Sequence, residues 1–406
     1  MDAKERLAIA DVMRKVFAEI PENDRAKEIG PITEVMEPEL DAGFLEHLEN
    51  KIAVRHALGL QTITGVLGDA FGLEYPDNGP RLATDGKIAF RRRIKRLALK
   101  DVFEKLPPCI VGMEACLSAH FVSRVLRALG HEPRIIPAIY VKPFLKGQKN
   151  DYNDAEAIAE AALRPNLRVV QEKSQDQLDL QACHRVRSRL VSRRTATINQ
   201  IRAFLIEQGI AVRAGPRALR NSLFAILENR KDEISPRTAG LILGLYEDWC
   251  RLDERIETVT GEIEKLSQVE ATCRRLMSVP GIGPLISTGI VAAIGTGEAF
   301  ERGRDFAAWL GLVPRQHSTG GRTILGRISK RGSKYLRTLL IQAAKVLLMR
   351  PHNWARYSFG AWLKTASERL HRNKLAVALA NKLARIAWSV LRNDKAFDTH
   401  PEAAAI

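Results

Sequence analysis

The sequence has no run of about 18 apolar residues, so no segment is built to cross a bilayer as a helix. It lacks the basic, apolar and small-residue succession of a secretory leader. Both absences predict a cytoplasmic protein with no membrane partner. Cysteine is sparse too. Cys109, Cys116, Cys183, Cys250 and Cys273 are scattered, odd in number, and never paired as C-x-x-C. That argues against a zinc site or a disulfide framework and predicts small buried thiols. The third scarcity is local. Residues 311–395 hold 18 Lys or Arg against 2 acidic side chains.

What is present fits this picture. At 406 residues the chain exceeds one hydrophobic core, and two or three domains are expected. Its formal charge of +16 points to a polyanion, since each cation set against a phosphate releases counterions. The charge is divided: residues 1–80 carry 16 acidic and 8 basic side chains, which leaves +24 for the remainder. The head therefore differs in kind, and the tail is the electrostatic footprint for nucleic acid.

From Ala83 onward, strands alternate with helices. A strand over Lys87–Arg91 and a helix over Leu97–Leu106 precede the apolar run Cys109–Glu114. A helix over Ala119–Leu129, a strand over Pro133–Pro137 and a helix over Asp154–Ala162 follow. That alternation predicts an α/β sheet with right-handed crossovers. Beyond Gln171 the strand signals vanish. Leu245, Trp249, Leu252, Ile256, Val259, Ile263 and Leu266 recur at gaps of four and three, the spacing of a coiled-coil seam. With the helix marked by Val186, Leu190, Ile198, Ile201 and Leu205 they predict an antiparallel hairpin, an arm or dimerisation element, or equally a plain helical bundle. The last region, from Ser278, reads as helical with a basic loop over His317–Ser333.

Four features carry chemistry. Glu114 ends a buried strand, where open α/β sheets place ligands, although a carboxylate there also caps the strand. Asp151 and Asp154 are three apart and share a helix face; Asn153 with Glu156 also reads as a capping box. Together with Glu114 they form a candidate cage for magnesium, which takes oxygen ligands and leaves sites for phosphate. Pro280-Gly281-Ile282-Gly283-Pro284 resembles the turn of a helix-hairpin-helix, with Gly281 and Gly283 letting backbone approach a phosphate; a tight connector reads the same. Ser318 stands in a loop with Arg322, Arg327, Lys330, Arg331 and Lys334, as a nucleophile among cations or as one donor in a phosphate-binding loop.

In order, Leu106–Cys116, Tyr140–Pro143, Lys149–Ile158, Val279–Pro284, Gly311–Arg315 and Leu325–Gly332 resemble the DEDD insertion-sequence transposases, family one hundred and ten. The resemblance implies a RuvC-like N-terminal domain and a helical C-terminal domain. It implies catalytic, metal-binding carboxylates at Glu114, Asp151 and Asp154, and a nucleophile at Ser318. DNA, an element-encoded guide RNA and further copies of the chain are the implied partners. The expected division is an acidic head over 1–82, an incomplete RuvC-like catalytic domain over 83–170, long helices over 171–268, a basic DNA-binding domain over 269–395 and a tail over 396–406. The sequence departs from the family at its first catalytic Asp. Residues 69–80 show neither the strand nor the motif that carries it, as in a rearranged head or a disrupted reading frame. The implied function is transposition by DNA cleavage and strand transfer. The alternatives are an impaired relative that only binds nucleic acid, and a divalent-metal junction nuclease.

Overall fold

The computed structural model describes residues 98–398 except Pro107, Leu117 and 148–150, with backbone alone at Asp151 and Tyr152. The strand predicted at Lys87–Arg91, the acidic head and the residues from 399 lie outside the described residues. Ser174 closes one compact unit and Gln175 opens another.

The first unit runs α1 (Leu99–Phe103), β1 (Ile110–Glu114), α2 (Ala119–Ala128), β2 (Glu132–Ile136), α3 (Ala138–Val141), a 3-10 turn (Lys142–Phe144) and α4 (Asp151–Ala162). The strands β1 and β2 pair in parallel, from Ile110 opposite Glu132 to Glu114 opposite Ile136. Val170 adds an isolated antiparallel bridge to Ile135. Alternation along β1 splits its two faces. Val111 and Met113 enter a core with Phe103, Val122 and Leu126. Gly112 faces α4 so closely that a Cβ there would stand 2.7 Å from that of Ala162. A side chain at that position would push the helix off the sheet. Buried His131 staples α1 to the sheet: Nδ1 accepts from the Cys109 amide at 3.2 Å, and Nε2 donates to the Phe103 carbonyl at 2.9 Å.

The second unit begins with α5 (Gln175–Glu207), α6 (Pro216–Asn229) and α7 (Pro236–Val269). The helices α5 and α7 pack antiparallel: Arg187 donates to Thr260, and Arg194 pairs with Asp253 at 2.9 Å. At the far end α6 completes a core of Ile201, Leu205, Leu219, Leu223, Ile242, Leu243, Tyr246 and Trp249. Asp253 also takes Arg220 at 2.8 Å, and the Arg220 guanidinium lies over the Trp249 ring. The heptad seam of α7 is thus occupied within the chain. Trp249, Leu252, Ile256 and Ile263 are buried, whereas Leu266 is exposed.

The chain continues through α8 (Ala271–Met277), α9 (Pro284–Ile294), α10 (Gly303–Trp309), β3 (Pro314–Thr319), β4 (Arg322–Ile328), α11 (Lys334–Leu348), a 3-10 turn (Pro351–Arg356), α12 (Gly360–Arg369) and α13 (Arg372–Asn393). A second core gathers Ile290, Phe306, Leu340, Leu363, Leu379 and Leu383, each contributing roughly 1.5–3 kcal/mol by leaving water. The chain is mostly helical, with two small sheets among the described residues. No described helix is long and apolar enough to cross a membrane. All five cysteines are free. Cys250 and Cys273 are buried as expected, while Cys109, Cys116 and Cys183 are half-exposed.

Candidate active site and nucleic-acid interface

Glu114 is the last residue of β1, and the period of two sets it on the face of Gly112, the face covered by α4. The contacts of α4 with Gly112 come from Ile158 and Ala162. Asp154 stands one turn before Ile158 on that helix face, and Asp151 is the first residue of the helix. The helix therefore starts ahead of Asn153, which removes the capping-box reading of Asn153 and Glu156. Glu114 and Asp154 are half-buried, and neither carboxylate has a hydrogen bond or ion pair among the described residues. Their acidic neighbours are engaged. Lys146 reaches Glu156 and Glu160, Arg164 pairs with Glu160 at 2.8 Å, and Ser123 donates to Glu172 at 2.6 Å. Among the described residues no group of three His, Cys, Asp or Glu stands close enough to hold a metal ion.

The predicted basic loop is instead a hairpin followed by a short loop. Gly320 and Gly321, at φ +53° and +74°, form the two-residue turn between β3 and β4. That turn needs positive φ at both positions, which glycine supplies without strain. Ser318 pairs across with Thr323 and accepts a 2.7 Å hydrogen bond from the Gln316 amide. Arg322 sits opposite Thr319, so alternation puts it on the other face of the ribbon from Ser318. Gln316 pairs with Leu325 but Pro314 with Ile328, so β4 carries an extra residue around Gly326 and Arg327. The side chains of Arg322, Arg327, Lys330, Arg331 and Lys334 are exposed, with no carboxylate partner among the described residues. Both strand faces stand in solvent.

Two residues that sequence reasoning passed over fix this hairpin to its base. Arg337 is buried and donates from Nη1 to the carbonyls of Leu310 and Arg331 at 2.8 and 2.9 Å. Gly332 lies so close to the end of α10 that a Cβ would stand 1.8 Å from the Trp309 carbonyl oxygen. The Gly-Gly pair was a usable hairpin signal. Nothing distinguished Arg337 from the exposed arginines around it.

The helix-hairpin-helix-like segment joins α8 to α9. Gly281 has φ +84°, and a Cβ there would meet the Leu347 side chain at 3.1 Å. Val279 and Ile282 are buried beside it, so this half of the turn is an internal fit. Gly283, the N-cap of α9, has open space where a Cβ would be.

A third polar site lies between α5, α9 and α11. His184 is buried, with Nδ1 2.9 Å from Tyr335 Oη and Nε2 3.0 Å from Thr288 Oγ1. Burial, with Arg187 nearby, lowers its pKa to about 4. The imidazole is therefore neutral at neutral pH.

Residues 77–208 match a family model described as a transposase, in its DEDD form. Residues 273–358 match the model of the transposase IS116/IS110/IS902 family. A probable family 20 transposase of Pseudomonas aeruginosa is 44% identical over 311 residues, covering 76% of this chain and 92% of that protein. The transposase for insertion sequence element IS1328 of Yersinia enterocolitica is 40% identical over 77% of this chain and 92% of its own length. That for IS1111A of Coxiella burnetii is 39% identical over 77% and 85%. These likenesses define a transposase. The chain belongs to the IS116/IS110/IS902 family of transposases.

Proposed function

We propose that the protein cuts and rejoins DNA during transposition, with Glu114, Asp151 and Asp154 as metal ligands and Ser318 as nucleophile. The observation that carries the reading is the pair of half-buried carboxylates, Glu114 and Asp154, on facing surfaces of β1 and α4 and without a side-chain partner among the described residues. An uncompensated carboxylate away from bulk water is costly, and a cation offsets that cost. Hard oxygen donors suit magnesium, which when bound supplies charge for the developing phosphate oxygens. Ser318 Oγ attacks phosphorus, its proton passes to solvent, and the leaving sugar oxygen takes up a proton. The result is a phosphoserine link and a free hydroxyl end. Gln316 donates to Oγ and so stabilises the alkoxide as that proton leaves. Arg322, Arg327, Lys330, Arg331 and Lys334 hold flanking phosphates, and the open N-cap at Gly283 offers amides to another.

In this reading residues 83–170 are the RuvC-like catalytic domain, 171–268 the long helices and 269–395 the DNA-binding domain. A structured RNA guides site choice, and several copies assemble. Because the α7 seam is filled by α5, assembly uses other surfaces of these helices. A second reading, binding without cutting, is favoured by one specific observation: the sequence over residues 69–80 does not carry the motif of the family's first catalytic Asp. Incubation with a nicked element end and magnesium tests both. A covalent protein–DNA species lost in Ser318→Ala, with joining lost in Glu114→Gln, supports the first. DNA binding with no covalent species in any variant supports the second.

A further inference from the structure

The start of α10 and one face of α13 enclose a cavity of about 490 Å³ lined by Arg302, Arg304, Lys382 and Arg385, with Trp388 and Ser389. No carboxylate lines it. Glu301 and Asp305 are neighbours in sequence but stand outside the lining. The side chains of Arg302, Arg304 and Arg385 have no hydrogen-bond or ion-pair partner among the described residues. Lys382 has its ammonium over the Trp362 ring, 4.8 Å from the centroid.

Such convergence of like charge is unfavourable unless an anion completes it. Two unit charges about 4 Å apart repel by about 1 kcal/mol even in water; here the three arginines are exposed and Lys382 is half-buried. The packing nevertheless holds them together. Gly303 sits against the α13 backbone, where a Cβ would stand 3.1 Å from the Arg385 carbonyl oxygen, so the arginines on either side of it are brought to the helix. Lys382 and Arg385 are three apart and project from one face of α13. Burial and the Arg385 charge depress the Lys382 pKa, the signature of an ammonium short of counter-charge.

We infer that this cavity is a second nucleic-acid contact, separate from the β3–β4 ribbon, that grips the phosphodiester backbone with Arg302, Arg304, Lys382 and Arg385. Phosphodiester is the ligand chemistry that a solvent-open, cation-lined, carboxylate-free pocket selects, and guanidinium groups match phosphate oxygens two at a time. The contact reads no bases and fixes the nucleic acid's register on the protein. It rests on the protein's action on DNA, not on the identity of the nucleophile.

The test is the salt dependence of binding by the full chain, measured with a duplex DNA oligonucleotide and, separately, with a duplex RNA of equal length. Each phosphate contact adds about 0.9 to the slope of log affinity against log salt. Arg304→Gln with Arg385→Gln should make that slope shallower by about two and weaken binding at low salt by at least tenfold. Arg304→Lys with Arg385→Lys should leave the slope as it was. A change with DNA assigns the pocket to the DNA, and a change confined to RNA assigns it to an RNA partner. Unaltered slopes with both overturn the inference.

Discussion

The buried guanidinium of Arg337 holds the carbonyl oxygen of Arg331 at 2.9 Å, and the same nitrogen holds Leu310 at 2.8 Å. One side chain in α11 thus ties the exposed cationic loop to the end of α10. Without it two carbonyls lose their donor in a partly buried setting, at about 1–3 kcal/mol for the unsatisfied groups. Arg337→Met should lower the melting temperature by roughly 4–8 °C, following the usual scaling for a unit of this size. DNA affinity should fall with it, because Lys330 and Arg331 lose their fixed position. Calorimetry and a binding isotherm on the same sample check both.

Gly332 predicts a sharper failure. Its φ is +71°, and a Cβ would overlap the Trp309 carbonyl at 1.8 Å. Neither the backbone angle nor the space admits a side chain, so Gly332→Ala should cost more than about 3 kcal/mol. Gly321→Ala, with φ +74° but open space around it, should cost only the strain of that angle, about 1 kcal/mol. Chemical denaturation of the two variants checks the order.

His184 gives the second unit an acid sensitivity. Its pKa falls from 6.5 unfolded to about 4 folded, chiefly through burial and secondarily through Arg187. The unfolded chain therefore binds the extra proton first. The resulting stability is fully present above pH 6.5 and is lost as pH falls toward 4. The whole loss is at most about 3 kcal/mol, from 1.36 kcal/mol per pKa unit. His184→Asn should flatten the dependence of melting temperature on pH between 6.5 and 4, while lowering stability at neutral pH through the broken contacts to Tyr335 and Thr288.

Gly112→Ala probes the carboxylate end through packing. The added methyl meets the Ala162 Cβ at 2.7 Å and the Ile158 backbone, so α4 must move away from β1. Overpacking of this kind costs about 1–3 kcal/mol. Joining activity should fall by at least tenfold as Asp154 moves from Glu114, while the salt dependence of DNA binding by the basic ribbon stays unchanged. Parallel joining and binding assays separate the two effects.

Much of the architecture was legible because it rests on period. The apolar run Cys109–Glu114 signalled a strand covered on both faces, and the heptads of α7 signalled one buried seam. The same logic stopped at partners. The seam of α7 suited a second copy as well as α5, and no spacing revealed that Arg187 and Arg194 would register the two helices within one chain. The loop expected over His317–Ser333 is a hairpin, and it went unread because β3 is polar while Ile324 and Leu325 of β4 are adjacent and exposed, so no apolar alternation marks the strands. Its sign was the Gly-Gly turn alone. The candidate carboxylates were visible as residue types. Their freedom from partners depends on where Lys146 and Arg164 reach, which is set by the folded chain.

The long helices α5 and α7 also have a mechanical meaning. The core around Trp249 and the core around Phe306 belong to one unit but share no residue, and a two-helix neck joins them. At 1.5 Å per residue the 34 residues of α7 measure about 51 Å. A bend of about ten degrees at the foot of such a lever carries its tip roughly 9 Å, close to the separation of two packed helices. Small adjustments where α5 meets α9, at His184 and Thr288, are thus amplified at the distant tip.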